Sequence, residues 1–516
     1  MTEPQVSRTA PENRDELRRQ TATAFRRSIG LTALGTVVPG AGLTQTRNRR
    51  LGWALFALAA VVAIALAFVV MTRGVTATAL SVVSRPGTLQ WLVIGFVVAG
   101  LIWSASIVLT ALQTRPGRLD RVRTRWLAAF TTVMVLLVAS SSFKAAEYAA
   151  ITQQTVNDVF GAKPDQPGVG AHEAQGDNPW AQTPRVNMLL IGSDAGSDRV
   201  GIRTDSMIVA SIDTASGRTS LIQLPRNLLD APLTENSPLR ARYPSGHFGQ
   251  PDRSCAQNGG GATGQCMLTN LYVEAQTYAK AHPGAYPAGT TPGRVEIRGT
   301  VAQITGLQID QMVVIDLKGF QQLIDAMGGL DINVKLSGVG TKLTIGGQHD
   351  ANGRLFGVTG YLEPGRQHLD GYHSLWYART RAADDDNFRQ DRQRCVVQAI
   401  VQQVNPAEMV SKYPEVVAIA KDNIYTDIPA SSLPAFVDLV ERVQKAKITS
   451  IALTQANGVK SGDPDYALIR ELVTKAIAAP GTSTPLPSGS QPPKPTGSTS
   501  AAITPHATPS TPYSEC

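Results

Sequence analysis

The chain has 516 residues, 43% of them hydrophobic and 17% charged, with a formal charge of +8 at pH 7. That length accommodates two or three domains and a large core, but the charge does not mark a nucleic-acid binder. It is confined to one end: residues 1–125 hold 16 Lys and Arg against 5 Asp and Glu, and the remainder holds 32 against 35.

In chain order, three apolar stretches are long enough to cross a bilayer: Gly52–Met71, Trp91–Leu112 and Trp126–Phe143. Residues 1–50 carry nine arginines, Thr72–Gln90 two and Gln113–Arg125 five. This alternation predicts a multi-pass protein of the cell membrane with a cytoplasmic N-terminus and everything after about residue 144 outside. The expected organisation is a basic cytoplasmic segment at 1–28, a membrane region at 29–144 and a juxtamembrane linker at 145–184. A globular domain at 185–479 and a Pro/Ser/Thr-rich disordered tail at 480–516 follow. The stretch Ile29–Leu43 is short and broken by Gly35, Pro39, Gly40 and Gly42. Spanning would place Arg47–Arg50 outside, so it reads as an interfacial or re-entrant piece. No small-residue cleavage site follows a single short apolar core, so a cleaved signal peptide is not expected.

Within the domain, Val186–Ile191 reads as a buried strand ending at Gly192-Ser193-Asp194, and Met207–Ile212 and Thr219–Leu224 as a hairpin around Thr214–Gly217. A helix at Val295–Thr305, a strand at Met312–Leu317, a helix at Phe320–Met327, a strand at Leu330–Val334 and a helix at Gln390–Val404 follow. This order predicts an α/β fold, an α-β-α sandwich around a mixed central sheet. Cys255 and Cys266 bracket a Gly-rich loop that can close on itself, which predicts a local disulfide in an oxidising compartment and leaves Cys395 and Cys516 unassigned. The seven histidines have no metal-ligand or triad spacing, and Asp384–Asp386 reads as a solvated turn.

Two arginine-rich clusters carry the chemistry: Asp194, Arg203, Asp205 and Arg226 in one, and Arg379, Arg381, Arg389, Arg392 and Gln393 in the other. Arginine forks grip phosphate bidentately, and paired carboxylates hold a hard cation. In the hairpin, pairing Asp213 with Arg218 makes opposed residue numbers sum to 431, which sets Asp205 opposite Arg226 with side chains about 5 Å apart. In the helix, the apolar face Val396, Val397, Ile400, Val404 continues N-terminally through Arg392, Gln393 and Arg389, whereas Arg394, Gln398 and Gln402 are expected to point outward. Buried arginine is costly unless paired or bound to an anion, so the inward-facing residues mark a ligand site. Arg379 and Arg381, two apart, are placed on one face of an extended segment.

At these residues the chain resembles the LytR–CpsA–Psr family of membrane-anchored cell-wall enzymes. The stretches that carry the resemblance are Asn187–Asp194, Arg203–Val209, Ile222–Arg226, Asn270–Ala275, Val314–Phe320, Trp376–Arg381 and Arg389–Gln393. The resemblance implies an apolar groove for a polyprenyl chain, a mouth for its pyrophosphate, and transfer of a glycopolymer from that carrier to peptidoglycan with Mg²⁺ or Mn²⁺. By matching position it implies Asp194 and Asp205 as metal ligands, and Arg203, Arg226, Lys318, Arg379, Arg381, Arg389 and Gln393 as pyrophosphate-binding residues. Asp194, Asp205 and Arg226 would be catalytic. The family commonly has an aspartate after Pro225-Arg226, where this chain has Asn227, which puts a general base at that position in doubt. The alternatives are a non-catalytic polyprenyl-pyrophosphate binder and a membrane-bound transcriptional attenuator. The latter predicts a cytoplasmic DNA-reading module, for which residues 1–28 are too short.

Overall fold

The computed structural model describes residues 10–74, 78, 82, 87–117, 119–160, 174, 179–194, 204–250, 266–335, 342–350, 352, 354–381, 386–405, 408–409, 412, 416, 419, 421 and 423–478. The chain divides into two compact units, residues 1–154 and 155–516.

The first unit is helical: α1 Ala10–Val37, a 3-10 turn Ala41–Gln45, α2 Arg49–Arg73, α3 Thr88–Thr114 and residues 121–154 of the 40-residue α4 Arg121–Phe160. Three helical stretches, Arg49–Thr72, Thr88–Thr114 and Arg121–Gln154, are long and apolar enough to cross a membrane. They contain the three apolar stretches of the sequence. The Ile29–Leu43 piece is divided between the end of α1 and the buried 3-10 turn. Its helix lies against α3, where the Trp103 indole donates to the Gly35 carbonyl at 2.8 Å and the Ser28 and Thr114 hydroxyls meet at 2.8 Å.

The second unit is built on a six-stranded sheet in the order β10-β3-β2-β1-β4-β9. Its strands are β1 Arg185–Ser193, β2 Thr204–Asp213, β3 Thr219–Leu224, β4 Gln311–Asp316, β9 Ile424–Thr426 and β10 Ile448–Ala452. β2 runs antiparallel to β1 and β3, β4 is parallel to β1, and β10 is parallel to β3, so the sheet is mixed. The β2–β3 register, Met207↔Leu224 through Ile212↔Thr219, is the one the charges at the turn predict. Gly217 in that turn has φ +74, and a Cβ on it would lie 2.4 Å from the Arg442 carbonyl carbon, so the turn needs a glycine on both counts.

The strands bury both faces. Leu189, Ile191, Met207, Val209, Ile222 and Leu224 pack with α5 Leu271–Ala281, α6 Pro292–Thr305 and α11 Tyr466–Ala478. The opposite face presents Ile208, Ala210 and Leu221 to α9 Asp386–Gln403 and, where β1 begins and β2 ends, Val186 and Ile212 to α10 Leu433–Lys445. This is the predicted α-β-α sandwich. A further core holds α7 Leu317–Met327, the pairs β5 Leu330–Val334 with β8 Gly365–Leu369 and β6 Leu343–His349 with β7 Leu355–Leu362, α8 Gly371–Arg379 and the far side of α9.

α9 is therefore enclosed on several sides, which corrects the predicted orientation of Arg394. It is buried, paired with Asp391, whereas Gln398 and Gln402 are half-buried. Periodicity identifies one apolar face, and it does not report a second neighbour on the other. The segment around Arg379 is corrected as well. Arg379 is the last residue of α8, and extended backbone begins only at Thr380, φ −59 and ψ 142. The Asp370 side chain caps this helix by accepting from His373 N at 2.8 Å.

Candidate functional site

Strand polarity gathers the first cluster. β1 and β3 end, and β2 begins, at the same edge of the sheet, and β4 ends there too because it is parallel to β1. Asp194 follows β1, Asp205 opens β2, Arg226 follows β3, and Lys318 sits exposed in the first turn of α7, just after β4. The β1–β2 register shifts between Gly192 and Ser193, and a bulge of this kind re-aims the residues that follow it. Arg226 Nη1 donates to Asp205 Oδ1 at 2.9 Å, as the hairpin register predicts, with both side chains about a quarter exposed.

The second cluster arrives from α8 and α9. Arg379 Nη2 lies 3.5 Å from Oδ1 of the buried Asp194, and its guanidinium carbon is 5.8 Å from the centre of the Trp376 ring. Arg392 ties the two helices together: its Nε donates to the Tyr377 carbonyl at 2.7 Å and its Nη2 to the Thr380 carbonyl at 2.5 Å. Those carbonyls belong to the end of α8, where intrahelical donors run out, so Arg392 positions Arg379. Gln393 Oε1 accepts from Gln223 Nε2 of β3 at 2.9 Å, and Arg389, one turn earlier, is buried. Gln223 is a site neighbour that the sequence did not single out. It lies three residues before Arg226 on the sheet face that meets α9, and this parity was its available signal.

Of the residues singled out from the sequence, Asp194, Asp205, Arg226, Arg379 and Gln393 thus stand in three bonded pairs, two of which, Asp194–Arg379 and Gln223–Gln393, join the two distant segments. Arg381 is exposed two residues beyond Arg379. Arg203 and Cys255 lie outside the described residues, while Cys266 is disulfide-bonded.

Among the candidate residues described, the cations Lys318, Arg226, Arg379, Arg381 and Arg389 outnumber the carboxylates Asp194 and Asp205. An anionic ligand therefore meets a net positive field at this edge. Among the described residues no three Asp, Glu, His or Cys side chains gather as a metal cage. Of the candidate residues described, Asp194 and Asp205 would supply two carboxylates, with phosphate oxygens and water completing the shell. That is how Mg²⁺ is commonly held, so the donor set fits the expected ion.

The sheet face below this edge is apolar but incompletely covered. Met188, Leu190, Val313 and Ile315 are half-buried there, as are Val397 and Val401 of α9 and Phe320 of α7. Such a surface can take up an apolar chain at about 0.8 kcal/mol per buried CH₂.

A model of the LytR–CpsA–Psr family matches residues 270–477. The chain is 24% identical to the polyisoprenyl-teichoic acid–peptidoglycan teichoic acid transferase TagU of Oceanobacillus iheyensis over 315 residues, 60% of this chain and 78% of that one. It is 28% identical to the transferase of the same name from Enterococcus faecalis over 248 residues, 47% of this chain and 61% of that one. Among solved structures, that of Bacillus subtilis TagV aligns over 57% of this chain and 95% of its own length, at 19% identity and a TM-score of 0.37.

Proposed function

The chain belongs to the LytR–CpsA–Psr family, and from that premise we propose that it is a membrane-anchored phosphotransferase. In this reading it moves a glycopolymer from a polyprenyl-pyrophosphate carrier to peptidoglycan on the outer side of the cell membrane. The names of its relatives support the substrate class, and the three apolar helices support the anchor. The observation that carries the reading is the meeting of Asp194–Arg379 and Asp205–Arg226 at one edge of the sheet, above a half-covered apolar face.

In the proposed reaction a peptidoglycan hydroxyl attacks the phosphorus next to the sugar. The bond from that phosphorus to the bridging oxygen breaks, polyprenyl monophosphate leaves, and the hydroxyl proton passes to a carboxylate. The transition state spreads negative charge over phosphoryl oxygens, so positioning and fixed cations are the main demands on the protein. Arg226, Arg379 and the buried Arg389 meet those demands, with Gln393 aligned by Gln223. Arg381 and Lys318 add cations at the mouth. Asp194 and Asp205 would hold Mg²⁺ or Mn²⁺, which when bound would neutralise phosphate charge. One of the two carboxylates would also accept the proton, since the exposed Asn227 has no basic oxygen to do so.

The test is transfer by the full chain in detergent micelles, given a labelled polyprenyl-pyrophosphate-linked saccharide, peptidoglycan and Mg²⁺. Release of polyprenyl phosphate that depends on the acceptor is expected. Tight binding of the lipid without release would instead make the protein a carrier or receptor.

A further inference from the structure

At the opposite edge of the same sheet, β1, β3 and β10 all begin, and each brings a cation. Arg185 opens β1, Arg218 precedes β3 and Lys447 precedes β10. The parallel register Ile448↔Thr219 places Lys447 beside Arg218, two like charges on neighbouring strands. That arrangement is unfavourable by itself. Together with Thr219, Ser220, Thr449 and Ile477 these residues line a cleft of about 310 Å³ counted with its open mouth. The Ser220 and Thr449 hydroxyls meet at 3.3 Å on its wall. Asp213 offsets part of the charge, its carboxylate 3.8 Å from Arg185 Nη2.

We propose that this cleft is a second oxyanion site, which seats a single phosphoryl group between Arg185, Arg218 and Lys447. The Arg218 fork and the Lys447 ammonium match the oxygens of a phosphate, and Arg185 adds charge from a guanidinium that also donates to the Ser211 and Ile477 carbonyls at 3.4 Å. Asp194 lies nine residue steps beyond Arg185 along β1, about 30 Å at about 3.3 Å per residue, so one phosphate cannot occupy both sites. The inference stands whether or not the transferase reading does.

The experiment is calorimetric titration of inorganic phosphate into the full chain in phosphatidylcholine nanodiscs, at low salt. Wild type is expected to show two binding components. Arg218→Gln/Lys447→Gln should weaken one of them at least tenfold, and Lys318→Gln/Arg379→Gln should keep that one while losing the other. Arg218 and Lys447 are exposed, and a thermal melt confirms that their variant is folded. Phosphate binding by Arg218→Gln/Lys447→Gln that matches wild type would overturn the proposal. Repeating the titration in phosphatidylglycerol nanodiscs identifies the source. A loss of phosphate affinity confined to this component would mean that lipid headgroups fill the cleft. An unchanged affinity would assign it to phosphoryl groups away from the membrane.

Discussion

Replacing Arg226 by alanine separates the two things this side chain does. Structurally it closes an ion pair with Asp205 at 2.9 Å, with both partners about a quarter exposed. Water screens such a pair, and its net worth is about 1 kcal/mol or less. In a domain of this size that loss lowers Tm by roughly 2–4 °C. Catalytically, the guanidinium is placed to meet charge that develops on a transferring phosphoryl group. Removing one such donor typically costs about 2.7–4 kcal/mol of transition-state stabilisation, or roughly 10²–10³ in kcat. The two effects differ enough to be read apart. Arg226→Ala should therefore leave a folded protein that melts within a few degrees of wild type and transfers polymer at least a hundredfold more slowly. Arg226→Lys, which keeps the charge and loses the fork, should fall between them. The assay is polyprenyl phosphate release under single-turnover conditions, with a melt on the same preparation. Turnover of Arg226→Ala within threefold of wild type would refute the role given to this residue.

Three further outcomes test the scaffold. Arg298 and Asp427 form a fully buried ion pair, and Asp427 also accepts from Met312 N at 2.6 Å, which locks α6 to β4. Arg298→Ala should lower unfolding stability by about 3–5 kcal/mol in urea, because it strands a buried carboxylate. Burial raises the Glu296 carboxyl above its ordinary range, against hydrogen bonds from the Ser237 and Tyr286 hydroxyls that favour the charged form. The native state thus holds this proton more tightly than the unfolded one, so stability falls as pH rises from about 4.3 through the folded pKa. Glu296→Gln should gain on wild type over that interval, and a Tm difference that does not change between pH 4 and 8 would contradict this. A Cβ on Gly371 would lie 2.1 Å from the Gln321 carbonyl oxygen. Gly371→Ala should therefore push α8 away from α7, costing about 1–3 kcal/mol and slowing transfer by displacing Arg379.

Much of the site was legible where local geometry fixes it. Charges at the 214–217 turn set the β2–β3 register, and this register delivered the Asp205–Arg226 pair before any tertiary contact was known. The inward phase of Arg389 and Gln393 followed from the apolar stripe behind them. What the sequence did not disclose depends on neighbours. Arg394 is buried because α9 has a second layer against it, and no single-helix pattern encodes that. α8 is only nine residues long, and Arg-x-Arg at its end suggested extended backbone. The Asp370 cap was the overlooked signal. The Asp194–Arg379 contact, 185 residues apart in sequence, follows from no local spacing, and the family resemblance implied only that both residues belong to one site.

The central claim, that this edge of the sheet transfers a phosphoryl group, is tested most directly by mass spectrometry of both products of one turnover. The account predicts polyprenyl monophosphate as the leaving lipid and a phosphodiester between the saccharide and peptidoglycan. Release of polyprenyl pyrophosphate with a sugar joined directly to peptidoglycan would mean attack at carbon, and would contradict it.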